Sequence, residues 1–248
     1  MKHVVTMTIY DVDHYTQEEK DQIIADYPEH EREARAKGIP QLGSGRIFPV
    51  SESQITCESF AIPKHFYVIN GIDFGWDHPT ACVQLVWDKD NENYYVTRVS
   101  KYRKKPVAVI ANQVRAWGQI PWSWPHDGLQ HDKGAGEQLR ITYQNEGINM
   151  LDERATFEDG GNSVEAGILE LLDLMQNGQF KVFDTCADFF DEFRTYHRKD
   201  GKIVKKHDDA ISAVRYAYMM RRYAVPVGYK SYDAQFDDDI NYPDLGIV

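Results

Sequence analysis

The sequence predicts an α/β protein: a mixed sheet, three antiparallel strands followed by parallel ones, flanked by helices. Three observations predict it. Runs rich in β-branched and aromatic residues at 66–73, 80–88 and 94–102 follow one another with only short breaks. The last two are joined by Lys89-Asp90-Asn91-Glu92-Asn93, a turn sequence, so the three form a meander. Beyond residue 105, helical periodicities alternate with short apolar runs, the pattern of strands joined by covering helices. The element order is β-β-β-α-β-α-β, then α-β-α-α.

In chain order, residues 4–10 read as a short strand. Thr16-Gln17-Glu18-Glu19 has capping-box spacing ahead of a helix with Ile23, Ile24 and Tyr27 on one side. Pro28 opens a second, charged helix to about residue 36. Gly38, Pro40, Gly43 and Gly45 then make a linker, and residues 1–45, which bury little alone, read as the tail of something larger. Pro106 opens a helix with Val107, Ile110, Val114 and Trp117 in line. A short run at 120–125 delivers His126-Asp127-Gly128; a helix follows over 134–146 and a buried strand over 148–151. Ser163 caps a helix carrying Val164, Ile168, Leu171, Leu172 and Met175 inward. Residues 180–183 are a strand, 186–197 a helix with Phe189, Phe190 and Phe193, and Lys199-Asp200-Gly201-Lys202 a hairpin turn. The last helix runs from about 208 to 222. Beyond Ala224 the chain is acidic and aperiodic.

The formal charge of −11 over 248 residues excludes an overall basic footprint for nucleic acid, but the charge is uneven. Residues 194–222 hold nine Lys/Arg against three Asp, whereas 225–248 hold five Asp against one Lys. A local basic face can hold phosphate because salt screens the remainder. Cys57, Cys82 and Cys186 are odd in number and far apart, without metal or disulfide spacing, which points to a reducing cytosol. No run of about 18 apolar residues predicts a membrane span, and the opening residues lack the apolar length of a signal peptide.

Three acidic positions stand out. Asp73, in Gly71-Ile72-Asp73-Phe74-Gly75, ends the first sheet strand; Asp127 ends the fourth; Asp208 and Asp209 open the last helix. The helix between the first and fourth strands makes a parallel crossover, so the two can lie side by side and bring their acids to one sheet edge. A cluster of carboxylates without Cys or His is a hard-oxygen site suited to Mg²⁺ or Mn²⁺. Each element alone has a plainer reading: acids at a helix start cap it, and His-Asp-Gly makes a turn. Their convergence in one topology carries the site.

These residues also carry a resemblance. Gly71 to Gly75, Pro125-His126-Asp127 and Lys206-His207-Asp208-Asp209-Ala210 with Arg215-Tyr216-Ala217 resemble the C-terminal nuclease domain of tailed-phage terminase large subunits. Ser163 to Ile168, Thr185-Cys186 and Phe193-Arg194-Thr195-Tyr196 fit the same pattern, and Pro28 to Gly45 resembles the end of that family's ATPase domain and its linker. The resemblance implies an RNase H-like fold and a division into an ATPase remnant with linker (1–50) and a nuclease domain (51–224); composition makes 225–248 a flexible acidic tail. It implies a metal-dependent endonuclease cutting concatemeric viral double-stranded DNA during headful packaging, with little sequence specificity. Asp73, Asp127, Asp208 and Asp209 are then catalytic metal ligands for two Mg²⁺ or Mn²⁺ ions, with Asp73 bridging. Arg103, Lys104 and Lys105, and Lys202, Lys205 and Lys206, are the expected DNA-backbone contacts. The implied partners are DNA, the portal protein and the terminase small subunit, in the host cytoplasm at the procapsid portal, with no membrane. No Gly-x-x-x-x-Gly-Lys-[Ser/Thr] occurs, so ATPase activity is not expected of this chain alone.

Two other readings compete. Gly71 to Gly75 with Thr80 also resembles the phosphate loop of actin-like ATPases and sugar kinases, although no second such loop is present. A non-catalytic DNA- or portal-binding module would use the acids only as caps. Metal-dependent nicking separates the first reading from both.

Overall fold

The computed structural model of the protein describes residues 7–27, 32, 35–38, 45–129 and 138–228. Thr16 caps helix α1 (Gln17–Ala25) through a reciprocal capping box with Glu19. The strand expected over 4–10 is not a strand where described: Ile9–Asp11 is a 3₁₀ turn. The charged helix after Pro28 falls largely outside the described residues.

The domain proper begins earlier than residue 51. Ile47, Phe48 and Val50 are buried in the main core, and the Ile47 amide donates to the Tyr196 carbonyl at 3.1 Å. Ser51 caps the short helix α2 (Glu52–Ile55), which leads into β1 (Thr56–Cys57). The meander follows as expected: β2 (Tyr67–Asp73), β3 (Thr80–Asp88) and β4 (Asn93–Tyr102). Helix α3 (Val107–Val114), β5 (Trp122–Ser123) and α4 (Leu139–Asn145) come next. Then come α5 (Val164–Gln176), β6 (Phe180–Phe183) and α6 (Ala187–Thr195). The hairpin β7 (Arg198–Lys199) and β8 (Lys202–Ile203) precedes α7 (Asp209–Met219), and β9 (Val225–Pro226) closes the described chain.

The main sheet has seven strands, in the order β1-β6-β4-β3-β2-β5, with β9 also on β2. β5 pairs parallel with Asn70 and Gly71, and β9 antiparallel with Tyr67 and Val68, so the two share β2's outer edge. The sheet therefore continues past residue 224, and Val227 donates to the Phe66 carbonyl at 2.8 Å. The apolar run 148–151 is not a strand; it adds one bridge, Met150 to Trp122. The helix expected over 134–146 covers Leu139–Asn145 in the described residues.

Strand alternation sends the two faces of β2 into different cores. Ile69 faces the main core with α5, α6 and α7; Ile72 faces a second with α3, α4, Trp122 and Trp124. Asp73 shares the parity of Ile69 and Gly71, so it projects on the α7 side. Gly71 is the contact point: a Cβ there would lie 2.1 Å from the Ala213 carbonyl oxygen of α7. Two residues along the strand and four along the helix are each about 6 Å. The α7 N-terminus, with Asp208 and Asp209, thus arrives beside Asp73. Among the described residues, no helix is long and apolar enough to cross a membrane.

Candidate metal centre

The acid end of the sheet is built from four segments. Asp73 is half-buried at the end of β2. The loop beyond it is tied down by Thr80, whose hydroxyl donates to the Gly75 carbonyl at 2.8 Å and accepts from the Gly75 amide. Asp127 is exposed on a 3₁₀ turn, His126–Leu129, four residues after β5. That strand is pinned to α7 by Ser123, whose hydroxyl donates to the Tyr216 carbonyl at 2.7 Å. Asp208 precedes α7 but makes no side-chain cap, so the usual structural role of an acid there is not the one it plays. Asp209 is buried, and its Oδ2 has no hydrogen-bond partner.

The electrostatics register the proximity. Burial holds the Asp73 carboxyl well above the usual carboxylate range, and the charges of Asp209, Asp208 and Asp127 push it further; Arg215 opposes them. Asp208 is raised by burial and by Asp209, with Lys205 and His78 pulling the other way. Arg215 is a buried cation, and Gly167 of α5 makes room for it: a Cβ at Gly167 would fall 2.6 Å from its Cδ. The four acids are thus gathered, yet not closed into a tight cage. Among the described residues, the His/Asp set with ligand atoms within 4.8 Å of one another is His65, Asp88 and Asp90, at the opposite end of the sheet. There Asp88 is occupied by the hairpin turn, accepting from the Asp90 amide and from Asn91 Nδ2.

The expected basic residues flank the acid end. Arg103, Lys104 and Lys105 are exposed just after β4, and the Lys104 amide donates to the Trp76 carbonyl at 3.3 Å. Lys202 lies on β8, and Lys205 and Lys206 lie between it and α7; all three are exposed. His207, between Lys206 and Asp208, holds a φ of 56°, a left-handed conformation unusual for a residue with a side chain.

Two charged residues here escaped the sequence reading. Glu192, 1% exposed, accepts from the amides of Ala210 and Ile211 at 2.8 and 3.1 Å, capping α7 from outside it. Lys101 of β4 donates to the other Glu192 oxygen, and its Nζ lies 3.7 Å from Asp209 Oδ2. Burial raises the Glu192 carboxyl, with Lys101 and the Ile211 amide resisting. Burial works against the Lys101 charge, but Glu192 and Asp209 outweigh it and leave the ammonium pKa raised. The available signal for Glu192 was its spacing: it stands three residues from Phe189 on the apolar side of α6.

A seven-stranded mixed sheet with carboxylates gathered at one end defines an RNase H-like α/β domain of the nuclease type. The chain belongs to the terminase RNaseH-like domain family, whose sequence model matches residues 70–221. A second model, terminase large subunit, T4likevirus-type, N-terminal, matches residues 1–55. The chain is 59% identical over 223 residues, 89% of its length, to the terminase large subunit of Salmonella phage P22. It is also 59% identical over 220 residues, 88% of its length, to that of Enterobacteria phage LP7. It spans 45% and 46% of those two relatives, under half of each. The structure of the P22 large terminase nuclease domain superposes with a TM-score of 0.69 at 55% identity, covering 73% of this chain and 94% of that one. The large terminase nuclease domain of bacteriophage SPP1, solved with bound Mn, shares the fold: TM-score 0.50, 20% identity, 67% of this chain and 95% of that one.

Proposed function

We propose that this chain is a metal-dependent endonuclease that cuts concatemeric viral double-stranded DNA, with little sequence specificity, during headful packaging. The observation that carries the reading is the gathering of Asp73, Asp127, Asp208 and Asp209 at one sheet end, where burial raises the Asp73 carboxyl and the other three acids raise it further. The donor set fits Mg²⁺ or Mn²⁺: all oxygen and all carboxylate, with a repulsion that a divalent cation relieves. Asp73, at the end of β2, would hold such ions together with Asp127 and the Asp208-Asp209 pair. Bound there, such ions would supply an activated water and relief of charge on the leaving oxygen. The chain's own cations do the positioning. Lys202, Lys205 and Lys206 on one side and Arg103, Lys104 and Lys105 on the other engage the DNA backbone, which carries no sequence information. The P22 relative supports the packaging context, and the Mn in the SPP1 domain is in keeping with a divalent ion.

Within that context, residues 1–50 are the end of an ATPase domain and its linker, in keeping with the match of the N-terminal model to 1–55. The nuclease domain takes in the core residues Ile47, Phe48 and Val50 ahead of residue 51 and the β9 pairing at 225–226, and the acidic segment beyond β9 docks on the portal protein. Its residues from 229 lie outside those described. The terminase small subunit is a further partner, and the site of action is the procapsid portal in the host cytoplasm. Supercoiled plasmid incubated with the protein should be nicked in Mn²⁺ and left intact in a chelator, and Asp73→Ala should abolish nicking. A variant that nicks at the wild-type rate would remove the acids from the chemistry and leave a non-catalytic DNA- or portal-binding module.

A further inference from the structure

We propose that Lys101 and Glu192 are positioning residues for Asp209, a proposal that rests on the nuclease reading above. Asp73, Ala81 and Lys101 stand in one row across β2, β3 and β4, paired Asp73 with Ala81 and Ala81 with Lys101. Residues in such a row project to the same face, so Lys101 lies two strand spacings, about 10 Å, from Asp73. Between them is Ala81, fully buried in the core that also takes in Ala210 of α7. Lys101 also meets Asp209, its Nζ 3.7 Å from an Asp209 oxygen that has no hydrogen-bond partner.

Glu192 makes this arrangement rigid. One of its oxygens takes the Ala210 and Ile211 amides in the first turn of α7, at 2.8 and 3.1 Å, and the other takes Lys101. A single buried carboxylate therefore fixes both the helix that carries Asp209 and the cation that faces it. A flexible lysine on the surface would do neither, but Lys101 is half-buried and its charge is spent within the protein. Groups that orient a metal ligand from behind commonly change metal affinity about 10–100-fold when removed.

The sign of the effect tests the idea. Lys101→Met keeps the stem and removes the charge. If Lys101 were only a nearby positive charge, its loss would tighten binding of a divalent cation. If it positions Asp209, its loss should weaken binding. Calorimetric titration with Mn²⁺ alone should give a dissociation constant about tenfold higher for Lys101→Met, and Lys101→Arg should bring it back toward wild type. Lys101→Gln serves as a second neutral variant should the methionine disturb folding, and thermal melting reports that separately. A dissociation constant unchanged within about twofold, or lower, would overturn the proposal even if the melting temperature falls. Failure of the wild-type protein to bind Mn²⁺ at all would instead overturn the nuclease reading, and Asp73→Ala, run alongside, tells the two apart.

Discussion

Gly71→Ala puts the coupling between fold and site under direct strain. The added methyl would lie 2.1 Å from the Ala213 carbonyl oxygen and 3.0 Å from the Ala217 methyl. Restoring a tolerable carbon–oxygen contact requires α7 to retreat from β2 by about 1 Å. Neither partner can give locally: the strand is paired on both edges, and the closest contact is with helix backbone. Overpacking of this kind costs about 2–3 kcal/mol, which for a domain of this size lowers the melting temperature by about 4–12 °C. The same retreat carries Asp208 and Asp209 away from Asp73, and an error of about 1 Å in a catalytic arrangement can cost about a hundredfold in rate. Circular-dichroism melting and plasmid nicking in Mn²⁺, measured on the same preparation, read the two consequences. A variant that melts within about 2 °C of wild type and nicks at its rate would show that the helix–strand contact does not set the site.

Asp127→Ala should abolish nicking yet leave melting nearly unchanged, because Asp127 is exposed and outside the core; a large loss of melting temperature would assign it a structural role. For Asp73 the sign of the pH effect is fixed by its raised carboxyl. Between the ordinary value of 3.8 and the raised native one, the folded state binds the extra proton, so metal-free stability falls as pH rises through that window. Asp73→Asn should flatten that slope in denaturation curves measured at several pH values without metal, and an unchanged slope would contradict the assigned cause. Replacing Lys202, Lys205 and Lys206 together should reduce the log–log salt slope of DNA binding by about two to three units if all three touch phosphate; an unchanged slope would move the DNA path elsewhere. Deleting residues 228–248 should leave nicking near wild type and impair portal binding, and a loss of nicking would tie that segment to the nuclease core.

The sheet's centre was legible because its elements are long enough to show a period. Three strands of seven to ten residues and a crossover helix with Val107, Ile110 and Val114 in line force the parallel pairing of β2 with β5. The two-residue strands β1 and β9 were not legible, since two residues have no alternation to read. The run 148–151 misled for the opposite reason. Ile148 and Met150 are buried as a strand would bury them, but the backbone there serves side chains as well: the Leu151 carbonyl accepts from Trp124 Nε1. Asp73 and the Asp208-Asp209 pair could be placed from element ends alone. Lys101 and Glu192 could not, because their meeting depends on the β3–β4 register and on the docking of α6 against α7, and they lie 91 residues apart. Read singly, each is a charged residue of the kind that normally faces water.

Anomalous diffraction from a crystal soaked in Mn²⁺ tests the central claim most directly. The account predicts manganese peaks bounded by Asp73, Asp127 and the Asp208-Asp209 pair, lost in Asp73→Ala. Manganese only at His65, Asp88 and Asp90, at the far end of the sheet, or no manganese among the four acids at all, would contradict it.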